Sequence, residues 1–126
     1  MRHFYSQIKG QYWVTLTDDL GPHITDAYPS DTIEVEPQPT PIHTYENGVW
    51  VEPDAQTSYD YYSNEVRQLR NYLLFAEVDA ISNTPLKWQD LSEEKKAEWA
   101  QYRRDLLNIT EQSGFPQNVI WPTKPA

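Results

Sequence analysis

The residues of this chain best suited to chemistry are its three histidines, because imidazole ligates metals and moves protons near neutral pH. His3, His23 and His43 stand twenty apart and are never paired at i+2, i+3 or i+4. A zinc site would therefore need the fold to gather three isolated ligands, whereas surface or hydrogen-bonded histidines need nothing special. Asp18-Asp19 and Glu34 with Glu36 could supply the two carboxylates of a glycosidase. Paired acids are also what any acidic surface shows, and a turn accounts for Asp18-Asp19 directly. The chain has no G-x-S-x-G, no P-loop and no G-x-G-x-x-G, and its four glycines are few for a phosphate cradle. Asn108-Ile109-Thr110 has the spacing of a glycosylation acceptor but falls inside an expected helix of a chain that carries no export signal. No catalytic constellation, metal or cofactor is implied, so the chain reads as a binding protein rather than an enzyme.

Two groups of aromatic residues suit binding. The segment Phe115 to Pro122 interleaves prolines with Phe115, Val119 and Trp121. Its restricted backbone lowers the entropy lost on ordering, so it can lie cheaply in a groove. That groove belongs either to this chain's own helices or to a partner. The second group is Tyr5, Tyr12, Trp13, Tyr45 and Trp50, spread over short β-like runs. Aromatics on small hairpins hold sugars or partner chains in many modules, and they equally make the core of a small β unit.

Five Trp, nine Tyr and three Phe in 126 residues exceed what core packing strictly needs, while the whole chain is only 38% hydrophobic. A small aromatic core is expected, with some rings facing a partner. The formal charge of −9 disfavours nucleic-acid binding and adhesion to anionic membranes. Residues 1–58 hold two Lys/Arg against nine Asp/Glu, and residues 59–126 hold eight against ten, so the excess acid sits in the first half. That asymmetry suggests two parts with different partners. Cysteine is absent, which excludes disulfides and thiolate metal sites. The N-terminus lacks an apolar stretch and no run approaches the roughly 20 residues a spanning helix needs, so a cytoplasmic protein is expected.

The elements that must position these residues change period near the middle of the chain. Phe4 to Leu16 alternates around Lys9-Gly10, predicting a hairpin, and Thr32 to Glu36 predicts a half-exposed strand. Pro37, Pro39 and Pro41 stiffen a connector. Asn47-Gly48, between Thr44 and Val51, predicts a type I′ hairpin turn. From about Tyr59 the spacing of Tyr62, Val66, Leu69, Leu73, Ala76 and Ala80 lays one apolar stripe on a helix. Thr84-Pro85 ends it, Ser92 caps the next, and Trp99, Tyr102, Leu106 and Ile109 form a second stripe, with Gly114 as the expected stop. The fold class that follows is α+β, with a β-rich subdomain over 1–58 and an antiparallel helical hairpin with an aromatic and proline tail over 59–126. So small a hairpin could also bundle with further copies of itself.

The second half resembles the C-terminal segment of the phage tail fibre assembly, or tail assembly chaperone, family. The pattern of that family is a tryptophan, "LSEE", "WA-x-YR", a leucine-rich turn and "FP-x-x-V-x-WP". Here it falls on Trp88, Leu91 to Glu94, Trp99-Ala100, Tyr102-Arg103, Leu106, Phe115-Pro116, Val119 and Trp121-Pro122. A looser likeness covers His3 to Ser6, which resembles the "YYS" opening of the same proteins. The resemblance implies a chaperone that binds the distal C-terminal region of the tail fibre protein in the host cytoplasm and assists its folding and trimerisation. It equally allows a cap that stays on the virion fibre tip and binds a host receptor or surface glycan. The motif residues are expected to be mainly structural, and the aromatic β group to meet the partner.

Overall fold

The computed structural model describes residues 1–126, and the chain is α+β, with its strands in the first half and its helices in the second. It divides into two compact units, Met1–Pro53 and Asp54–Ala126. The boundary falls five residues before the expected one. The reason is local: Asp54 is the N-cap of the long helix, its Oδ1 accepting the Thr57 N–H at 2.7 Å, so the helix begins at Ala55 rather than near Tyr59.

In the first unit, β1 (His3–Ser6) pairs antiparallel with β2 (Gln11–Val14) on one side and with the short β3 (Ile33–Glu34) on the other. Gly10 takes φ 62° in the four-residue loop joining β1 to β2, a conformation that favours glycine. The Asp31 carboxylate ties this loop down, accepting from Ser6 Oγ at 2.7 Å and from the Ile8 N–H at 2.8 Å. A short helix α1 (Pro22–Thr25) lies between β2 and β3. A separate two-stranded sheet joins β4 (Thr44–Glu46) to β5 (Val49–Val51) through Asn47-Gly48, whose φ values of 52° and 82° are those of the expected type I′ turn.

The second unit opens with α2 (Ala55–Leu73), which runs without a break through a π-helical segment, Leu74–Asp79, into α3 (Ala80–Ser82). The single stripe expected along this helix does not hold. Val66 and Val78 are buried, Leu73, Leu74 and Ile81 pack on the core, and Leu69 and Ala80 are exposed. Wider π turns rotate the face by about one residue, so no constant period runs through them. α4 (Pro85–Gln89) then brings Trp88 to the core, and α5 (Glu93–Leu107) returns. Ser92 Oγ caps α5 by accepting the Lys95 N–H at 3.1 Å, and the Lys95–Glu98 and Lys96–Glu93 pairs form on its exposed side. α5 packs on the π segment, and the 3₁₀ turn that follows it (Ile109–Glu111) reaches α2, so the two helices run antiparallel.

The core of this unit is Val78, Trp99, Tyr102 and Leu106, with Ile109 also fully buried. That is the second stripe as read from its spacing. Gly114 is not the helix stop. α5 ends at Leu107 with Asn108 as its C-cap, and Gly114 instead forms a tight turn in which its carbonyl accepts the Asn118 N–H at 2.7 Å. A Cβ at Gly114 would lie 2.0 Å from the Asn118 carbonyl oxygen, so the turn excludes every other residue. No helix is long and apolar enough to cross a membrane.

Candidate functional site

Side chains alternate along a strand, so β1 sends Phe4 and Ser6 to one face and His3 and Tyr5 to the other. Cross-strand partners share a face, and the register sets Trp13 opposite Phe4 and Tyr12 opposite Tyr5. Two aromatic clusters result. Phe4, Trp13 and Tyr28 form the first, with centroids 5.1 to 5.9 Å apart. The Arg2 guanidinium lies 5.2 Å from the Phe4 ring centre and its Nε donates to Glu34 at 2.9 Å. Trp13 Nε1 is buried there without a hydrogen-bond partner.

The second cluster gathers Tyr5, Tyr12, Tyr45 and Trp50. Trp50 stands at 71° to Tyr45, 78° to Tyr5 and 87° to Tyr12, with centroids 5.0 to 6.0 Å away. Tyr5 and Tyr45 meet at 5.1 Å. With Gly10, Gln38, Pro41, His43 and Thr44 these rings line a pocket of about 240 Å³. Some of its polar atoms are engaged within the chain, while the Tyr5 and Tyr45 hydroxyls hold no hydrogen bond. The Tyr12 hydroxyl shares a 2.6 Å hydrogen bond with His3 Nδ1 and accepts the Gln38 N–H at 3.2 Å. Gln38 Nε2 donates to the His43 carbonyl at 2.8 Å, and His43 Nδ1 is 2.6 Å from Thr40 Oγ1. Trp50 Nε1 donates to the Glu36 carbonyl at 2.8 Å.

Four of the five aromatic residues singled out in the sequence thus come together. Trp13 does not, because it is adjacent to Tyr12 on one strand and must face the other way. Tyr28, its neighbour in the Phe4 cluster, lies in no periodic run and carried no signal. The three histidines stay apart: His3 and His43 hold hydrogen bonds and His23 is exposed on α1. No group of three or more His, Cys, Asp or Glu is placed to hold a metal ion. Of the candidate acids, Asp18 pairs with the terminal ammonium at 2.8 Å and Glu34 with Arg2. Those partners hold both carboxyls below their ordinary range.

In the second unit the motif residues Trp99, Tyr102 and Leu106 are buried, and Trp88 and Trp121 pack against them. The Tyr102 hydroxyl donates to Glu77 Oε2 at 2.7 Å; burial first, and then that carboxylate, push the phenol up to about 12. Phe115 meets the edge of Tyr59 at 6.1 Å and carries the Arg67 guanidinium 5.6 Å from its centre. Pro116, Val119 and Pro122 are half-buried, and Arg103 is exposed, as are Ser92, Glu93 and Glu94 at the start of α5. The tail therefore lies on this chain's own helices. Sequence reasoning missed Gln112, whose amide grips the Ile120 backbone. It also missed an exposed row on α2 and the π segment, Leu69, Tyr72 and Phe75, the last two 63% and 74% accessible.

The family model for the phage tail assembly chaperone protein matches residues 63–126, just over half of the chain and the whole of α5 and its tail. No curated protein and no solved structure matches this chain.

Proposed function

The chain belongs to the phage tail assembly chaperone protein family, and we propose that it serves the tail fibre, binding the distal C-terminal region of the fibre protein and assisting its folding and trimerisation. It covers apolar surface or open strand edges of the fibre until three chains align, which suppresses edge-to-edge pairing and aggregation. The action is stoichiometric and non-enzymatic, with no nucleotide cycle, and takes place in the host cytoplasm during assembly. The observation that carries this reading is the match over residues 63–126, in which the motif residues Trp88, Leu91, Trp99, Tyr102, Leu106 and Trp121 pack one small hairpin.

In this reading the acidic first unit, with the Tyr5, Tyr12, Tyr45 and Trp50 face, meets the fibre. The helical hairpin supplies a stable base, and its exposed Leu69, Tyr72 and Phe75 row serves self-association. The decisive experiment expresses the fibre gene with and without this chain. Soluble, sized fibre trimer should appear only on co-expression, and equal yields in both cultures would refute the proposal.

A second reading, a cap retained on the virion and bound to a host receptor or glycan, is favoured by the grouping of aromatic rings on the first unit. Mass spectrometry of purified mature particles separates the two. A transient chaperone is absent from them, and a cap is present at a fixed ratio to the fibre.

A further inference from the structure

We infer that the pocket framed by Tyr5, Tyr12, Tyr45 and Trp50 receives a lysine or arginine side chain of the bound protein. The inference rests on the fibre-binding reading for the source of that side chain; the chemistry of the pocket stands by itself. Three observations lead to it.

The first is the geometry of the walls. Trp50 is close to perpendicular to all three tyrosine rings, so the rings enclose a corner rather than present one flat platform. A sugar stacks on an open ring face and needs several free hydrogen-bonding groups beside it. Here the Tyr12 hydroxyl, the Gln38 amide nitrogen, His43 Nδ1 and Trp50 Nε1 already have partners within the chain. What the pocket has left to offer is π surface, whose negative faces attract a cation, and the Tyr5 and Tyr45 hydroxyls, which hold no hydrogen bond within the chain and can accept one from an ammonium or guanidinium.

The second is size. At about 240 Å³ the pocket lies below the roughly 300 to 1,000 Å³ typical of sites that enclose a whole small molecule. A single side-chain head group suits it better.

The third is charge. Residues 1–53 carry eight Asp/Glu against Arg2 and Lys9. Arg2 is held by Glu34 and the Phe4 ring, and no cation of this chain lies over any of the four rings. Glu36, Glu46 and Glu52 lie within two residues of Gln38, Tyr45 and Trp50, are exposed, and form no ion pair. They draw a cation toward the pocket and repel an acidic group.

The test uses the full chain, ¹⁵N-labelled, titrated with the blocked tripeptides Gly-Lys-Gly and Gly-Arg-Gly, with Gly-norleucine-Gly as the neutral isostere and methyl glucoside as the sugar. Saturable shifts of the Trp50 indole N–H and the Tyr45 amide are expected with the two cationic peptides only, weakening as salt is added. Replacing Glu36, Glu46 and Glu52 together by Gln should weaken the cationic peptides at least threefold while leaving the spectrum folded. Trp50→Phe, which keeps a smaller ring, should weaken them further. Equal shifts from norleucine or the glucoside, or no saturable shift from either cationic peptide, would overturn the inference. A chain that binds the lysine peptide yet fails to rescue the fibre keeps the pocket and loses the fibre reading. The reverse result does the opposite.

Discussion

The side-chain amide of Gln112 exchanges two hydrogen bonds with the backbone of Ile120, Nε2 donating to its carbonyl at 2.8 Å and Oε1 accepting its N–H at 2.7 Å. The amide thereby takes the place of a strand partner and pins the tail one residue before Trp121. Ile120 itself is 80% accessible, so the grip acts on the backbone and not on that side chain.

Releasing this grip should loosen the tail without melting the helices. Gln112→Ala should cost about 1 kcal/mol, the net worth of partly exposed hydrogen bonds. Trp121→Ala should cost more, about 3 kcal/mol, at the low end for truncating a large aromatic because the ring is only partly buried. Urea melts of the two variants without any fibre check both values. An unchanged midpoint in Trp121→Ala refutes a tail packed for stability and moves Trp121 to a partner contact.

Tyr102 links the tail-side core to the π segment through Glu77. Its folded pKa, raised from 10 to about 12, means that the folded state prefers the neutral phenol. The stabilisation is complete below pH 10 and is lost as the pH rises from 10 through about 12. An ultraviolet titration should show a tyrosinate step near pH 12, and that step should vanish in Tyr102→Phe. A titration curve that is the same in Tyr102→Phe as in the parent above about pH 11 would show that Tyr102 is not buried against Glu77.

Asp31 makes the opposite pH contribution in the first unit. The Ile8 N–H and then Ser6 Oγ hold its carboxyl below the ordinary 3.8. Its contribution is therefore full above that value and disappears as the pH falls through the lower folded one. The Ile8 amide should be protected from hydrogen exchange at pH 6 and lose that protection on acidification below about pH 4. Asp31→Ala should expose it at every pH. Identical exchange in the variant and the parent would show that the carboxylate does not hold the loop.

Truncation separates the roles proposed for the two units. A fragment of residues 54–126 keeps Asp54, and hence the cap of α2, so its circular dichroism should remain helical. Fibre capture should be lost. A fragment beginning at Tyr59 should be less stable by about 1 kcal/mol, the usual worth of an N-cap, with a further loss from the missing first turn. Capture of the fibre by 54–126 alone would transfer the contact to the hairpin.

Several features were legible in the sequence because their causes lie within a few residues of one another. Asn47-Gly48 demands its turn, Ser92 caps whatever helix follows it, and Trp99, Tyr102, Leu106 and Ile109 share a face whatever they pack against. The motif from Trp88 to Pro122 likewise announced the family, which the match over residues 63–126 shows. Other features depend on groups far apart along the chain, and only the tertiary structure decided them. Tyr5 and Tyr12 meet Tyr45 and Trp50 because two separate sheets bring them together, while Trp13 is turned to the opposite face by the pleat. The π segment breaks the even stripe of α2 where α5 packs on it, burying Val78 and setting Glu77 against Tyr102. Gln112 finds Ile120 only after the Gly114 turn has reversed the chain. Local rules set which backbone conformation each segment prefers; the packing of non-local surfaces sets which side chains meet.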